Sequence, residues 1–280
     1  MKRVSVTVVE RVIVAALVGS LASCGGGGGG NPGGGNVRTI TFPAGVRGGS
    51  PRFSPDGTLL AYARDTGPLS ELAVMSPAGA DSRSLTSDGD YLLAMAWSAD
   101  GSEIVYGSTD AGIRAVALAG GASRFVVDAF ASIDPDLSPD GRWLAYGLNG
   151  STVHLADLGQ TPPVVSDLGM YGGSPRFSPD GATLALWSDG KIRLLDLASR
   201  AVTDVIDSTN SFGRVDWFAD GTRLMAGTDR GVEIITLGPP IQRRLLVDNI
   251  AVIAVDLSPD GANVAYGSNG LPELYVLSGF

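Results

Sequence analysis

A four-residue phrase returns six times along this chain: Ser54-Pro55-Asp56-Gly57, Ser98-Ala99-Asp100-Gly101, Ser138-Pro139-Asp140-Gly141, Ser178-Pro179-Asp180-Gly181, Phe218-Ala219-Asp220-Gly221 and Ser258-Pro259-Asp260-Gly261. The aspartates stand at 56, 100, 140, 180, 220 and 260, a spacing of about 40 residues that marks a repeat architecture rather than one or two unrelated domains. Each phrase has the chemistry of a tight turn. Proline presets φ, aspartate accepts from nearby backbone N–H groups, and glycine takes positive φ without steric cost. Six equivalent turns around a repeat cannot converge on one substrate, so these aspartates read as turn residues and not as catalytic carboxylates.

Short apolar runs follow every turn, among them Leu59-Leu60-Ala61-Tyr62, Leu144-Ala145-Tyr146-Gly147 and Val264-Ala265-Tyr266-Gly267. Runs of four to seven residues bounded by Gly, Pro, Asp and Ser are strand signals, and no useful length after Cys24 shows helical periodicity. In the first repeat the expected strands are Pro51 to Ser54 (A), Thr58 to Ala63 (B), Glu71 to Pro77 (C) and Ser82 to Thr86 (D). Four-stranded units whose middle strands want burial on both faces pack radially, which predicts an all-β, six-bladed propeller with four antiparallel strands per blade. The phrases PRFSPDGTLLAYA, PDLSPDGRWLAYG and PRFSPDGATLALW resemble the TolB-like and WD-like propeller repeats, and the resemblance runs from Asn36 to Phe280. It implies a fold and, less specifically, a binding module.

The sixth unit has strand C at Glu273 to Leu277 and no strand D before the chain reaches Phe280. Val37-Arg38-Thr39-Ile40-Thr41-Phe42 precedes the first strand A and reads like a strand D. It is therefore predicted to close the last blade, which removes an open sheet edge. The expected organisation is a signal peptide over 1–23, Cys24 with a glycine-rich linker to 36, and the propeller over 37–280.

The amino terminus carries Lys2, Arg3 and Arg11, then the apolar run Val12 to Leu21, then small residues, a secretory signal too short to span a membrane. Its end, Leu21-Ala22-Ser23-Cys24, resembles the lipobox of bacterial lipoproteins, which implies acylation of Cys24, the only cysteine. Gly25 in place of an aspartate implies outer-membrane sorting. Residues 25–36 have a flexible-linker composition with a reach on the order of 20 Å. The balance of 20 basic to 29 acidic residues becomes more negative once the signal is removed, and no basic run interleaves with aromatics, so nucleic acid is excluded as a partner.

One column of strand A is unusually charged. The innermost strands carry Arg52, Ala96, Asp136, Arg176, Asp216 and Asp256 at equivalent places. Buried charge persists chiefly when paired, so the expectation is an inter-blade ring in which Arg176 pairs with Asp136 and Asp216 while Arg52 pairs with Asp256. A ligand or metal at the channel mouth is the functional alternative for the same five charges. A second set, Tyr91, Phe130, Tyr171 and Phe212, falls in the connections from strand D to the next strand A, on one face; these aromatics either form a recognition surface or cap the inter-blade cores.

His154, the only histidine, reads as an ordinary residue of strand C in the third unit, without the partners a zinc site needs. There is no Gly-x-Ser-x-Gly elbow, and no catalytic residue, metal or cofactor is assigned. The reading is an envelope lipoprotein, monomeric and tethered to the membrane through Cys24, that binds an envelope protein or a small ligand. Two alternatives stay open: a carboxylate-based lyase or glycosidase acting on carbohydrate, and a purely structural envelope component.

Overall fold

The computed structural model describes residues 32–67, 70–87, 92–108, 112–129, 132–148, 152–208, 214–248, 250–268 and 271–280. Twenty-four strands make six four-stranded antiparallel sheets, and no helix occurs among the described residues. Strand β1 (Asn36–Ile40) comes first in sequence. The first blade is β2 (Arg47–Phe53), β3 (Leu60–Asp65), β4 (Ser70–Met75) and β5 (Arg83–Ser84); the second is β6 (Leu92–Trp97), β7 (Glu103–Ser108), β8 (Gly112–Ala117) and β9 (Arg124–Val127). Blade 3 contains β10 (Ser132–Leu137), β11 (Trp143–Leu148), β12 (Thr152–Asp157) and β13 (Val164–Tyr171), and blade 4 contains β14 (Gly173–Phe177), β15 (Thr183–Ser188), β16 (Lys191–Asp196) and β17 (Val202–Asp207). Blade 5 is β18 (Val215–Trp217), β19 (Arg223–Thr228), β20 (Gly231–Thr236) and β21 (Gln242–Asp248); blade 6 is β22 (Val252–Leu257), β23 (Asn263–Ser268) and β24 (Leu274–Ser278), completed by β1.

Closure by the amino-terminal strand is as expected. Strand β1 pairs antiparallel with β24 from Asn36 opposite Ser278 to Ile40 opposite Leu274. Strand A of blade 1 starts at Arg47 rather than Pro51, because Gly48 and Gly49 continue the pairing with β3 before a bulge. Its strand D shrinks to Arg83–Ser84.

The six innermost strands touch one another in a ring, β2 to β6, β10, β14, β18, β22 and back to β2. Between each pair of neighbouring blades lies an apolar core. At the closing seam Ile40, Leu274 and Val276 meet Phe53, Leu60, Tyr62 and Met75. At the next, Leu72 and Val74 meet Met95, Trp97 and Ile104. Burying a side chain of this size contributes about 1.5–3 kcal/mol, and no blade can do it alone.

The repeated phrase behaves as a turn in every blade. In the first, Asp56 Oδ1 accepts from Ser54 Oγ at 2.6 Å and from the Thr58 N–H at 3.0 Å, and Ser54 Oγ accepts from the Leu59 N–H at 2.9 Å. The same set recurs at Ser138, Asp140 and Trp143 and at Ser258, Asp260 and Asn263. These bonds hold the turn carboxylates below the usual range, Asp100 at about 2. Gly57, Gly101, Gly141, Gly181, Gly221 and Gly261 take φ between 66° and 72°. Neighbouring turns come close at some seams: a Cβ at Gly101 would sit 3.7 Å from Pro55 and one at Gly181 3.5 Å from Pro139, whereas one at Gly141 or Gly221 would meet nothing within 4 Å.

Candidate functional site

Strand alternation and the bulge in strand A aim one row of side chains into the axis of the ring. Arg52, Asp136, Arg176 and Asp256 are buried there and Asp216 is half-buried. A second row two residues earlier, Asp134, Ser174 and Arg214, is also buried and was not anticipated from sequence. Period-2 alternation would have found it. Asp134 and Ser174 take φ of 51° and 54°, and each lies inside the register shift of its strand A, at Ile133/Asp136 and Gly173/Arg176.

The pairing differs from the expected ring. Arg52 does meet Asp256, with Nη1 2.9 Å from Oδ1. Its Nη2, however, reaches across blade 2 to Asp136 Oδ1 at 2.8 Å. The physical reason is Ala96: blade 2 puts a methyl group in the row, so a long guanidinium from blade 1 passes it. Arg176 consequently pairs with neither Asp136 nor Asp216, which corrects the sequence expectation. In the second row Arg214 Nη2 lies 2.6 Å from Asp134 Oδ1, and Ser174 Oγ donates to Asp134 Oδ2 at 2.6 Å.

The aspartates of the first row bind the next blade through its backbone. Asp136 Oδ2 accepts from the Phe177 N–H at 2.9 Å, Asp216 Oδ2 from the Leu257 N–H at 2.7 Å, and Asp256 Oδ2 from the Phe53 N–H at 2.6 Å. Where the row carries arginine the device is inverted. The Trp97 indole N–H donates to the Arg52 carbonyl at 3.1 Å, and the Trp217 indole N–H donates to the Arg176 carbonyl at 3.1 Å.

Electrostatics follow from burial. Desolvation pushes Asp256 up to about 7, with Asp216 adding to the rise and Arg52 and the Phe53 N–H opposing it. Desolvation likewise raises Asp216. Burial works against the charge on Arg52, but the carboxylates of Asp256, Asp136, Asp216 and Asp134 outweigh it and raise that group. Arg176 is pressed the other way, first by burial and then by repulsion from Arg52.

Of the aromatic set, Tyr91, Phe130 and Phe212, like Cys24, lie outside the described residues. Tyr171 is the last residue of β13 rather than a loop residue, because Gly169 at φ 68° carries the strand past a register shift to pair Tyr171 with Thr152. It is 50% exposed and lines a cleft of about 460 Å3 between blades 3 and 4, with Leu168, Met170, Arg193 and Val202. His154 is half-buried and stacks on Tyr146 with ring centroids 5.6 Å apart. Among the described residues no three metal-ligating side chains come together, and no helix is long and apolar enough to cross a membrane.

No protein-family model matches the sequence, and no curated protein matches it. Solved structures do. The chain is similar to the Cps50 (Swd1) β-propeller domain of Myceliophteria thermophila, with a TM-score of 0.65 at 13% identity over 88% of this chain and 100% of that one. It is similar to TolB from Acinetobacter baumannii, with a TM-score of 0.60 at 18% identity over 86% of this chain and 65% of that one. A chain of the Mitotic Checkpoint Complex gives 0.60 at 15% identity over 88% of this chain and 91% of its own length. At these identities the likeness shows the fold alone: a six-bladed β-propeller resembling TolB and WD40 proteins.

Proposed function

We propose that this protein is a cell-envelope lipoprotein, acylated at Cys24, whose propeller is a non-catalytic scaffold that presents one loop face to an envelope protein. The observation that carries the scaffold reading is the engagement of the channel carboxylates. Asp136, Asp216 and Asp256 each hold a backbone N–H of the following blade, which assigns them to keeping the ring closed rather than to acid–base work on a sugar. The antiparallel order of each blade puts the A–B and C–D turns at one end and the B–C and D–A connections at the other. The first end carries the repeated Ser-Pro-Asp-Gly turns. The second carries Tyr171, an exposed aromatic beside a cleft, and supplies the recognition surface.

The anchor rests on the sequence of the signal and lipobox, and an outer-membrane location rests on Gly25. Crosslinking in intact cells, with Cys24→Ser as the unanchored form, tests both halves. The expected result is palmitate incorporation that Cys24→Ser abolishes, and one reproducible protein partner whose capture falls with Tyr171→Ala. Turnover of a carbohydrate by the purified propeller would overturn the scaffold reading.

A further inference from the structure

Each blade ends in an outer strand that pairs with its sheet on one side only, and five of the six are short or carry charge along that edge. Strand β5 has two residues, β9 and β1 carry Arg124 and Arg38, β17 carries Asp204 and Asp207, and β21 carries Arg243 and Arg244. Strand β13 is the exception. It runs for eight residues, with Val164 60% and Val165 43% exposed. Its one charge, Asp167, is turned into its own strand, where Oδ1 accepts from the Gly169 N–H at 2.7 Å. A long, apolar edge with neither proline nor an outward charge is a template for strand addition.

The backbone of that edge faces outward at known residues. The Leu158 N–H donates to the Arg142 carbonyl at 2.9 Å, so alternation back along β12 turns Asp157 and Leu155 towards β13. The Ser166 hydroxyl meets the Leu155 carbonyl there at 3.2 Å. Val164 and Ser166, opposite Asp157 and Leu155, therefore face inward, and the N–H and C=O groups of Val165 and Asp167 point away from the sheet.

Beside this edge lies the cleft of about 460 Å3, floored by the outer end of the core between blades 3 and 4 at Leu168, Met170 and Leu195. Its two arginines differ. Arg193 is neutralised by Asp189 and Asp204, each at 2.8 Å. Arg200 is exposed, takes φ of 62°, and makes no ion pair among the described residues. The nearby Asp196 uses Oδ1 on the Ser199 N–H at 2.7 Å and the Ser199 hydroxyl at 2.6 Å. The free backbone groups call for an extended polypeptide, the apolar floor for its side chains, and Arg200 for a carboxylate. A net charge of −9 on every copy disfavours a second copy as the occupant.

We propose that the β13 edge takes an extended, apolar peptide segment of a partner protein as a fifth strand of blade 3, with one side chain in the cleft beside Tyr171 and a carboxylate on Arg200. This rests on Tyr171 being part of the recognition surface, and it gives the chemistry of what that surface holds.

Random peptides displayed on phage, selected on the full chain carrying Cys24→Ser, supply the probe. The expected winners alternate β-branched or aromatic residues and carry Asp or Glu. A winner made with a fluorescent label should bind Val165→Pro about tenfold more weakly or worse, since an outer edge tolerates proline but loses the outward N–H. Arg200→Glu should weaken it about tenfold too, and should leave unchanged the same peptide with its acid replaced by the amide. Failure to enrich any peptide, or winners indifferent to both substitutions, overturns the proposal. Should Val165→Pro fail to fold, methylating alternate backbone nitrogens of the peptide removes its ladder donors without touching the protein; undiminished binding then overturns it as well. A cellular partner that depends on Tyr171 but not on Val165→Pro would leave the loop-face reading standing and remove this one, whereas peptide binding at β13 without any cellular partner would do the reverse.

Discussion

Arg52 is the charge on which the channel turns, and Arg52→Met isolates its contribution. Methionine keeps an apolar stem of similar reach, so the loss is mainly the guanidinium. Two carboxylates, Asp136 and Asp256, would each keep one backbone N–H and lose an ion pair of 2.8–2.9 Å. Breaking a buried pair from one side costs about 3–5 kcal/mol, and here one substitution breaks two with a shared partner. For a chain of this length each kcal/mol lowers the melting temperature by about 2–4 °C, which gives a drop of roughly 6–20 °C. The pH dependence has a definite sign. Asp256 titrates near 7 in the fold, above the usual carboxylate value, so its contribution to stability is fully present below about pH 4 and is lost as pH rises through about 7. Without Arg52 its value climbs further, and protonation then relieves the damage. Urea unfolding at about pH 8 and about pH 5 should show the larger loss at the higher pH. A loss under about 1 kcal/mol at the higher pH, or one that grows on acidification, would refute the assignment of Arg52 as the shared partner.

Deleting Val37 to Phe42 removes β1 together with the buried Ile40 and the Phe42 ring that packs 5.4 Å from Tyr62. A loss of roughly 3–5 kcal/mol is expected, and the exposed β24 edge should produce oligomers by size-exclusion chromatography; an unchanged melt and a monomer would sink the closure model. Gly231 takes φ 130°, and a Cβ there would sit 1.9 Å from the Val247 carbonyl oxygen, so Gly231→Ala should destabilise by about 3 kcal/mol or more in denaturant titration. The turn carboxylates Asp56, Asp100, Asp140, Asp180 and Asp260 sit below their usual range, so their contribution is present above about pH 4 and disappears as pH falls. Unfolding midpoints should fall steadily between about pH 4 and pH 2; a flat profile would show that the turn bonds do not favour the charged form.

The blade count and the closing strand were legible in the sequence because both follow from local chemistry: a turn phrase with a fixed period, and one strand too few at the end. Partner choice inside the channel was not. The charged column at 52, 136, 176, 216 and 256 could be read, but which groups meet depends on side-chain reach and on the bulge that brings Asp134, Ser174 and Arg214 into the same space. The approach of Pro55, Pro139 and Pro259 to the next blade's glycine was hidden for a similar reason, since nothing in one repeat tells where its neighbour's turn will lie. One part of the channel was written in the sequence yet not read. Wherever strand A carries arginine, the next blade has tryptophan one place further on, as with Arg52 and Trp97 or Arg176 and Trp217; where it carries aspartate, the next blade has Phe53, Phe177 or Leu257.

That rule leaves one seam unserved, and the gap explains the rest of the channel. Ala96 offers neither a carboxylate nor an arginine carbonyl matched to an indole, and the position of blade 3 equivalent to Phe177 is Leu137. Ala96→Asp would place a carboxylate beside Leu137 as Asp136 stands beside Phe177, within reach of the Arg52 guanidinium that already passes over this position. Arg52 would then have a nearer partner than Asp136. Asp136 already acts on the charge of Arg176, whose Nε and Nη2 have no hydrogen-bond partner, and its released oxygen could turn to that group. A new charge-assisted hydrogen bond and a second ion pair outweigh the burial of one added carboxylate, so a gain of about 1 kcal/mol is expected, read by urea unfolding. A loss of more than about 2 kcal/mol, the cost of a buried carboxylate left without donors, would mean that Arg52 is held by the channel's geometry and not by competition among its carboxylates.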